Sequence, residues 1–148
     1  MSQTFALPVP VPVPGAGDAL LEEVKPPPDA RTLIIGHRTL DMLCGLIRRG
    51  CAAAIEVRPD EPGAPLIDKA QVAVIPDPAS LAEATASVAI AKRALACGGH
   101  IAIYDVDGLY RRELTALLRQ EGFVAISTRD TPDGALVVGR RSFAVVNI

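Results

Sequence analysis

Short runs that are apolar almost throughout recur along the chain, at residues 33–35 (LII), 52–57 (AAAIEV), 72–75 (VAVI), 101–104 (IAIY) and 135–138 (ALVV), and stretches with helical spacing separate most of them. That alternation constrains the fold more than any other feature. A strand with one face in water alternates apolar with polar residues, whereas a strand apolar on both sides must be covered on both. Parallel strands joined by helical crossovers meet that demand. The expected architecture is α/β: a doubly wound, mostly parallel sheet of about six strands with helices on both faces and an antiparallel C-terminal hairpin.

Punctuation by proline and glycine sets the boundaries. PVPVPVP at 8–14, followed by GAG, fixes φ and removes donors, so residues 1–17 are expected to form a flexible polyproline arm and residues 18–148 a single domain. Residues 18–25 (DALLEEVK) read as a short helix with Asp18 as N-cap, stopped by three prolines. Leu40, Leu43, Cys44 and Ile47 repeat at helical spacing and are expected to face inward. Ser80 with Glu83 forms a capping box for a helix that carries Leu81, Val88 and Leu95 on one face and stops at Gly98-Gly99. The next helix, about 109–121, turns Tyr110, Leu114, Leu117 and Leu118 inward, with Asp107 as its N-cap and Gly122 as its stop. A strand at 123–127, the turn Thr131-Pro132-Asp133-Gly134 and a returning strand complete the hairpin. SFAVVNI at 142–148 reads as one more strand, whose apolar edge invites self-association.

Composition narrows the function classes. Basic and acidic residues nearly balance at a net charge of −2, no cationic cluster exceeds a pair, and aromatics are scarce, which disfavours nucleic acid as a partner. Three widely spaced cysteines and two histidines offer no metal-ligand spacing, so no metal is expected; Cys44 and Cys97 read as small buried residues on helices. No apolar run reaches the length of a membrane span and no basic, unbroken leader opens the chain, so a cytoplasmic protein without membrane contact is expected.

Across about residues 18–141 the chain resembles the class I S-adenosylmethionine-dependent methyltransferases. AKRALACGGHIAIYD is similar to that family's helix, glycine turn and fifth strand, and LTALLRQEGFVAISTRDTPDGALVVGRR to its last helix, the Gly-Phe opening of strand six and the hairpin into strand seven. VKPPPDARTLIIG resembles the lead-in helix and first strand, and AAAIEV the second strand with its terminal acid. The resemblance implies that Glu56 stands where an acid accepts hydrogen bonds from the cofactor ribose. It also implies that Asp77, between Pro76 and Pro78, stands near substrate-orienting positions.

The departures from the family pattern are specific. Ile34 stands in place of an acid, and of three glycines at alternate positions only Gly36 survives, with Arg38 and Leu40 at the other two. Such glycines let a ligand pack against the turn where a Cβ would intrude. Fourteen residues, 58–71, separate Val57 from Val72, where the family holds a helix, a strand and another helix. PDP at 76–78 is not the Asn/Asp-Pro-Pro-aromatic motif of amino-methylating members.

The candidate cofactor-binding residues are therefore Gly36, His37, Arg38, Glu56 and Asp77. His37 either hydrogen-bonds a ligand or acts as a base, or else caps the helix start or pairs with Asp41. Arg38 either grips a phosphate or carboxylate beside the helix N-terminus or forms an ion pair with Asp41 or Glu56. Glu56 and Asp105 end strands at the same crevice, and no nucleophile–base pair can be named, so the catalytic residues are unknown. The leading expectation is a degenerate, non-catalytic methyltransferase-like domain acting as a protein-interaction, structural or regulatory module, with a homo-oligomer or protein partner. Two alternatives stay open: an active S-adenosylmethionine-dependent methyltransferase with an atypical pocket, and a binder of another anionic small molecule or nucleotide at the Gly36-Arg38 turn.

Overall fold

The structure, a computed structural model, describes residues 20–22, 24–27, 29–37, 39–51, 53–60 and 69–142. In chain order the elements are β1 (Arg31–Ile35), α1 (Leu40–Arg48), β2 (Ala53–Val57), β3 (Ala70–Pro76), α2 (Leu81–Ala94), β4 (Leu95–Val106), α3 (Arg111–Gln120), β5 (Phe123–Thr131) and β6 (Gly134–Arg141). Residues 20–22 also have helical backbone. The proline-rich arm, the Asp18 N-cap, Arg38 and residues 143–148 of SFAVVNI lie outside the described residues.

The six strands form one sheet in the order β2-β1-β3-β4-β6-β5. β2, β1, β3 and β4 are parallel, and β6 inserts antiparallel between β4 and β5. This is the doubly wound sheet with an antiparallel hairpin that the apolar runs imply. The chain's direction of travel across the sheet reverses between β1 and β3, so the crevice outside their carboxyl ends is the place where folds of this class hold ligands. Residues 58–69, twelve in number, lead from β2 to β3. That length accommodates one crossover and not the two that a further helix–strand–helix unit requires.

Alternation along each strand builds two cores. Leu33, Ile35, Ala73, Ile75, Ile101, Ile103 and Val137 face α2 and α3, meeting Ala84, Val88, Ala91, Leu114 and Leu118. Their neighbours Ile34, Val72, Val74, Ala102, Tyr104 and Leu136 face the other side, where Leu20, Leu21, Met42 and Leu46 cover them. The scarcity of aromatic residues is thus answered by aliphatic side chains on both faces.

Four local expectations are corrected. α1 buries Met42, Gly45 and Leu46, while Leu40 and Ile47 stand 66% and 60% exposed. LDMLCGLI is apolar on more than one side, so periodicity alone does not select the face. α2 ends at Ala94, because Leu95 adopts extended backbone and pairs with Ala70; Gly98-Gly99 fall inside β4, in the irregular pairing between Leu95 and His100. Cys97 consequently lies on a strand and is exposed. The acid that receives the start of α3 is the buried Asp105, whose carboxylate accepts from the Tyr110 N–H at 2.7 Å. Asp107 instead occupies the left-handed region at φ 69° and does not cap.

The capping box of α2 forms, with one change of partner. Ser80 Oγ accepts from the Glu83 N–H at 3.1 Å, and the Glu83 carboxylate accepts from the Ala79 N–H rather than from that of Ser80. At the far edge, β5 runs on to Thr131 through Ser127, Thr128, Arg129 and Asp130. Polar side chains on that edge strand blunt its tendency to pair with another sheet.

Candidate functional site

The crevice at the carboxyl ends of β1 and β3 is built from the turn after β1, the last residues of β2 and the entry to α2. Gly36 donates its N–H to the Val57 carbonyl at 3.0 Å, tying the turn to β2. A Cβ at Gly36 would stand 3.0 Å from Thr39 Cγ2 and 3.7 Å from Pro76 Cγ. A side chain here would press on the Thr39 methyl, which would have to give by a few tenths of an ångström.

Thr39, buried at the start of α1, makes no side-chain cap bond. Its hydroxyl is instead donated to the Glu56 carboxylate. Glu56 lies beside Ile34 in the β1–β2 register, and Ile34 is fully buried. The acid at the end of β2 thus has a partner within the chain, and the residue beside it on β1 faces the apolar core. Asp41 supplies negative charge in the first turn of α1, which the helix N-terminus favours.

A second contact spans the crevice. His37 Nε2 lies 2.9 Å from Glu83 Oε1, with the imidazole half-exposed and the carboxylate largely enclosed. Glu83 is already fixed by the Ala79 N–H, so the pair joins the β1 turn to the N-terminus of α2. Of the alternatives for His37, pairing with Asp41 is replaced by pairing with Glu83.

Asp77 follows β3 in the left-handed region at φ 49°, with its N–H donated to the Tyr104 carbonyl at 2.8 Å. Its carboxyl is pushed above the usual aspartate value by desolvation, opposed by a hydrogen bond from the Val106 backbone and reinforced by the negative charges of Asp105, Asp107 and Glu83. This end of the sheet is therefore acidic. Among the described residues no group of three or more His, Cys, Asp or Glu is placed to hold a metal ion.

No protein-family model matches the chain, and no curated protein matches it in sequence. Solved structures do. The 1,6-didemethyltoxoflavin-N1-methyltransferase of Burkholderia thailandensis, seen with 1,6-didemethyltoxoflavin and S-adenosylhomocysteine, aligns with a TM-score of 0.60 at 13% identity over 86% of this chain and 76% of its own. An S-adenosylmethionine-dependent O-methyltransferase from Thermotoga maritima aligns with a TM-score of 0.62 at 10% identity, over 87% of this chain and 65% of its own. A TehB-like methyltransferase from Corynebacterium glutamicum gives 0.58 at 13% identity over 85% and 87%. The fold is that of the class I S-adenosylmethionine-dependent methyltransferases. At such identities the likeness establishes architecture alone.

Within the methyltransferase fold, Gly36, His37, Glu56 and Asp77 do gather at one end of the sheet, as the sequence suggests. Two residues outside the candidate set, Thr39 and Glu83, make the contacts that hold Glu56 and His37. Thr39 carries only the generic signal of an N-cap residue type, and Glu83 is legible as a capping-box acid without any sign of its contact with His37.

Two substitutions test this geometry. Thr39→Val keeps the methyl that packs on Gly36 and removes the hydroxyl, so it is expected to cost about 1 kcal/mol in urea unfolding, the worth of one hydrogen bond whose acceptor regains water. For Asp77, a raised native pKa means that the ionised form opposes folding. The favourable contribution is complete below the unfolded value of 3.8 and is lost as the pH rises through the raised native value. Asp77→Asn tolerates the left-handed backbone and keeps an acceptor for the Val106 N–H. It is expected to raise stability slightly at neutral pH, by no more than about a few tenths of a kcal/mol because solvent screens the group, seen as a small rise in melting temperature, and to lose that advantage in acid. An unchanged difference across the pH range would contradict the assignment.

Proposed function

We propose that this chain is a methyltransferase-fold domain that does not methylate and acts through protein contacts, as a structural or regulatory partner. The observation that carries the reading is the Thr39 hydroxyl bound to the Glu56 carboxylate. The hydroxyl takes up one acceptor position of the carboxylate that a cofactor ribose would use, so the ribose would compete with Thr39 or be confined to the remaining lone pairs. Ile34 offers the methionine end no acid, and the His37–Glu83 pair must part to widen the crevice. Each step subtracts from cofactor affinity. The retained Gly36 and Glu56 keep an active enzyme as the second reading. Anion binding at the turn after β1 is disfavoured by the Glu83 carboxylate, which lies 2.9 Å from His37.

Leu40 and Ile47, one above the other on the outer side of α1, supply the apolar surface that a protein contact or self-association uses. Among the described residues no helix is long and apolar enough to cross a membrane. The test is a melting series with S-adenosylmethionine, S-adenosylhomocysteine and phosphate-bearing nucleotides. A ligand at a hundredfold excess over its dissociation constant stabilises the native state by about 2.7 kcal/mol. No shift is expected with any of the three; a strong shift with either adenosyl compound supports the second reading instead.

A further inference from the structure

The two edges of the sheet differ in kind. β5, at one edge, carries Ser127, Thr128, Arg129 and Asp130, and its register with β6 shifts between Val124 and Ser127. Charge and irregularity of that sort keep an edge from pairing. β2, at the other edge, has neither defence: AAIEV holds no lysine or proline and keeps regular register with β1 along its whole length. Among the described residues no strand lies beyond it. Its apolar residues Ala53, Ala54 and Ile55 are only half-buried, whereas β1 beside it is buried from Thr32 to Ile35.

One hydrogen bond fixes which backbone groups face outward. The Val57 carbonyl accepts from the Gly36 N–H and therefore points at β1. Alternate residues of a parallel strand bond to the same neighbour, so Ala53 and Ile55 also turn to β1, while Ala54 and Glu56 turn their N–H and C=O groups outward. Two such edges fit each other antiparallel about a two-fold axis at Ile55. Ala54 of each copy then stands opposite Glu56 of the other and exchanges both backbone hydrogen bonds with it, and Ile55 faces its own counterpart at the non-hydrogen-bonded position between them. The one charged side chain of the strand meets an alanine and not a like charge.

The helices above this seam match as well. Met42 and Leu46 of α1 share a core with Ile34 of β1 and Ala54 of β2, so α1 lies over both strands. Across the seam, α1 and its counterpart stand antiparallel and ~10 Å apart, two strand spacings, which is the usual separation of packed helices. Leu40, Leu43 and Ile47 form one stripe at i, i+3 and i+7, and Leu40 and Ile47 are exposed. Antiparallel packing lays Leu40 of one copy beside Ile47 of the other. It also brings Asp41, in the acidic first turn, toward Arg48, in the basic last turn of the other copy, with the helix dipoles opposed. The geometry points to a two-fold dimer of this chain, joined through β2 into one continuous sheet with α1 packed on α1, which rests on the protein-contact half of the reading above and names the partner as a second copy.

Sedimentation equilibrium of the full-length chain should show a reversible monomer–dimer system between micromolar and millimolar concentration, because one strand and one helix stripe make a small interface. Ala54→Pro removes an outward N–H and no bond to β1, and proline is tolerated at such an edge position, so the variant should fold and dimerise at least about tenfold more weakly. Ile47→Glu sets an acid close to Asp41 of the other copy and should weaken the dimer as well. Leu109→Glu, at an exposed position after β4 and away from the seam, should leave it unchanged. Ile55→Cys should form a disulfide with its own counterpart under mild oxidation, since facing residues of a non-hydrogen-bonded pair lie within disulfide reach. A monomer at every concentration overturns the proposal, and slow hydrogen exchange of Ala54 and Glu56 in that monomer would identify another segment of the chain as the cover of the edge. A dimer that Ala54→Pro and Ile47→Glu both leave intact, or an oxidised Ile55→Cys chain without a link at residue 55, overturns it too. Cofactor binding by a chain that dimerises would sink the non-catalytic half of the reading above and keep the dimer; a monomer that binds no cofactor would sink the dimer alone.

Discussion

Replacing Gly134 by alanine is expected to destabilise the fold by about 3 kcal/mol, at the upper end for forcing atoms into a packed site. The reason is the approach of two backbones. Gly134 is the first residue of β6 and pairs in register with Val106 at the carboxyl end of β4. A Cβ there would overlap the Asp105 carbonyl oxygen and stand 3.0 Å from the Val106 Cα. Neither atom belongs to a side chain that can rotate away, so the hairpin must lift from β4. Asp105, whose carboxylate receives the start of α3, would move with it. The loss corresponds to a fall in melting temperature of about 10 °C for a domain of this size. A fall of only a degree or two would mean that the backbones of β6 and β4 stand farther apart than this contact requires.

Leu118→Ala is expected to cost a similar amount, about 3 kcal/mol, through the cavity it leaves. α3 reads RRELTALLRQ, and Leu114 and Leu118 are its fully buried side chains. The helix thus holds to the sheet through two leucines one turn apart. Leu118 Cδ1 lies 3.5 Å from the Cβ position of Gly139 and shares that site with Ile101 and Phe123. Strand atoms held by hydrogen bonds collapse little into a void, so most of the volume stays empty. Leu117, only partly buried, should tolerate the same truncation with a markedly smaller loss. Equal losses at the two positions would show that α3 is rotated about its axis, with Leu117 turned as far into the core as Leu118.

The alternation of apolar runs with helical segments carries most of the architecture, because burial on two faces leaves few other arrangements. The hairpin is legible from Thr131-Pro132-Asp133-Gly134, although the glycine serves the approach of β4 as much as the turn. Register and phase are harder. Periodicity misplaces the inward face of α1, since Leu43 and Leu46 fall on adjacent sides of a helix apolar almost all round, and only the sheet beneath it selects Met42 and Leu46. Asp105 and Asp107 both precede α3, and what separates them is burial of the first and the left-handed backbone of the second.

The site is legible as a location and not as a set of contacts. Gly36 and Glu56 are identifiable at the ends of neighbouring strands, and both are there. That Thr39 bonds to Glu56, and His37 to Glu83, depends on which strands become neighbours. No local spacing encodes such pairs. Departures from a cofactor-binding pattern can be read from residue types alone; what the remaining polar groups do with one another needs the fold.

Calorimetric titration of S-adenosylhomocysteine into the full-length chain near neutral pH tests the central claim most directly, because it reads binding without requiring turnover. With Glu56 engaged by Thr39 and the crevice bridged by His37 and Glu83, the account predicts no saturable heat up to millimolar ligand. A one-to-one isotherm with a low-micromolar dissociation constant would contradict it.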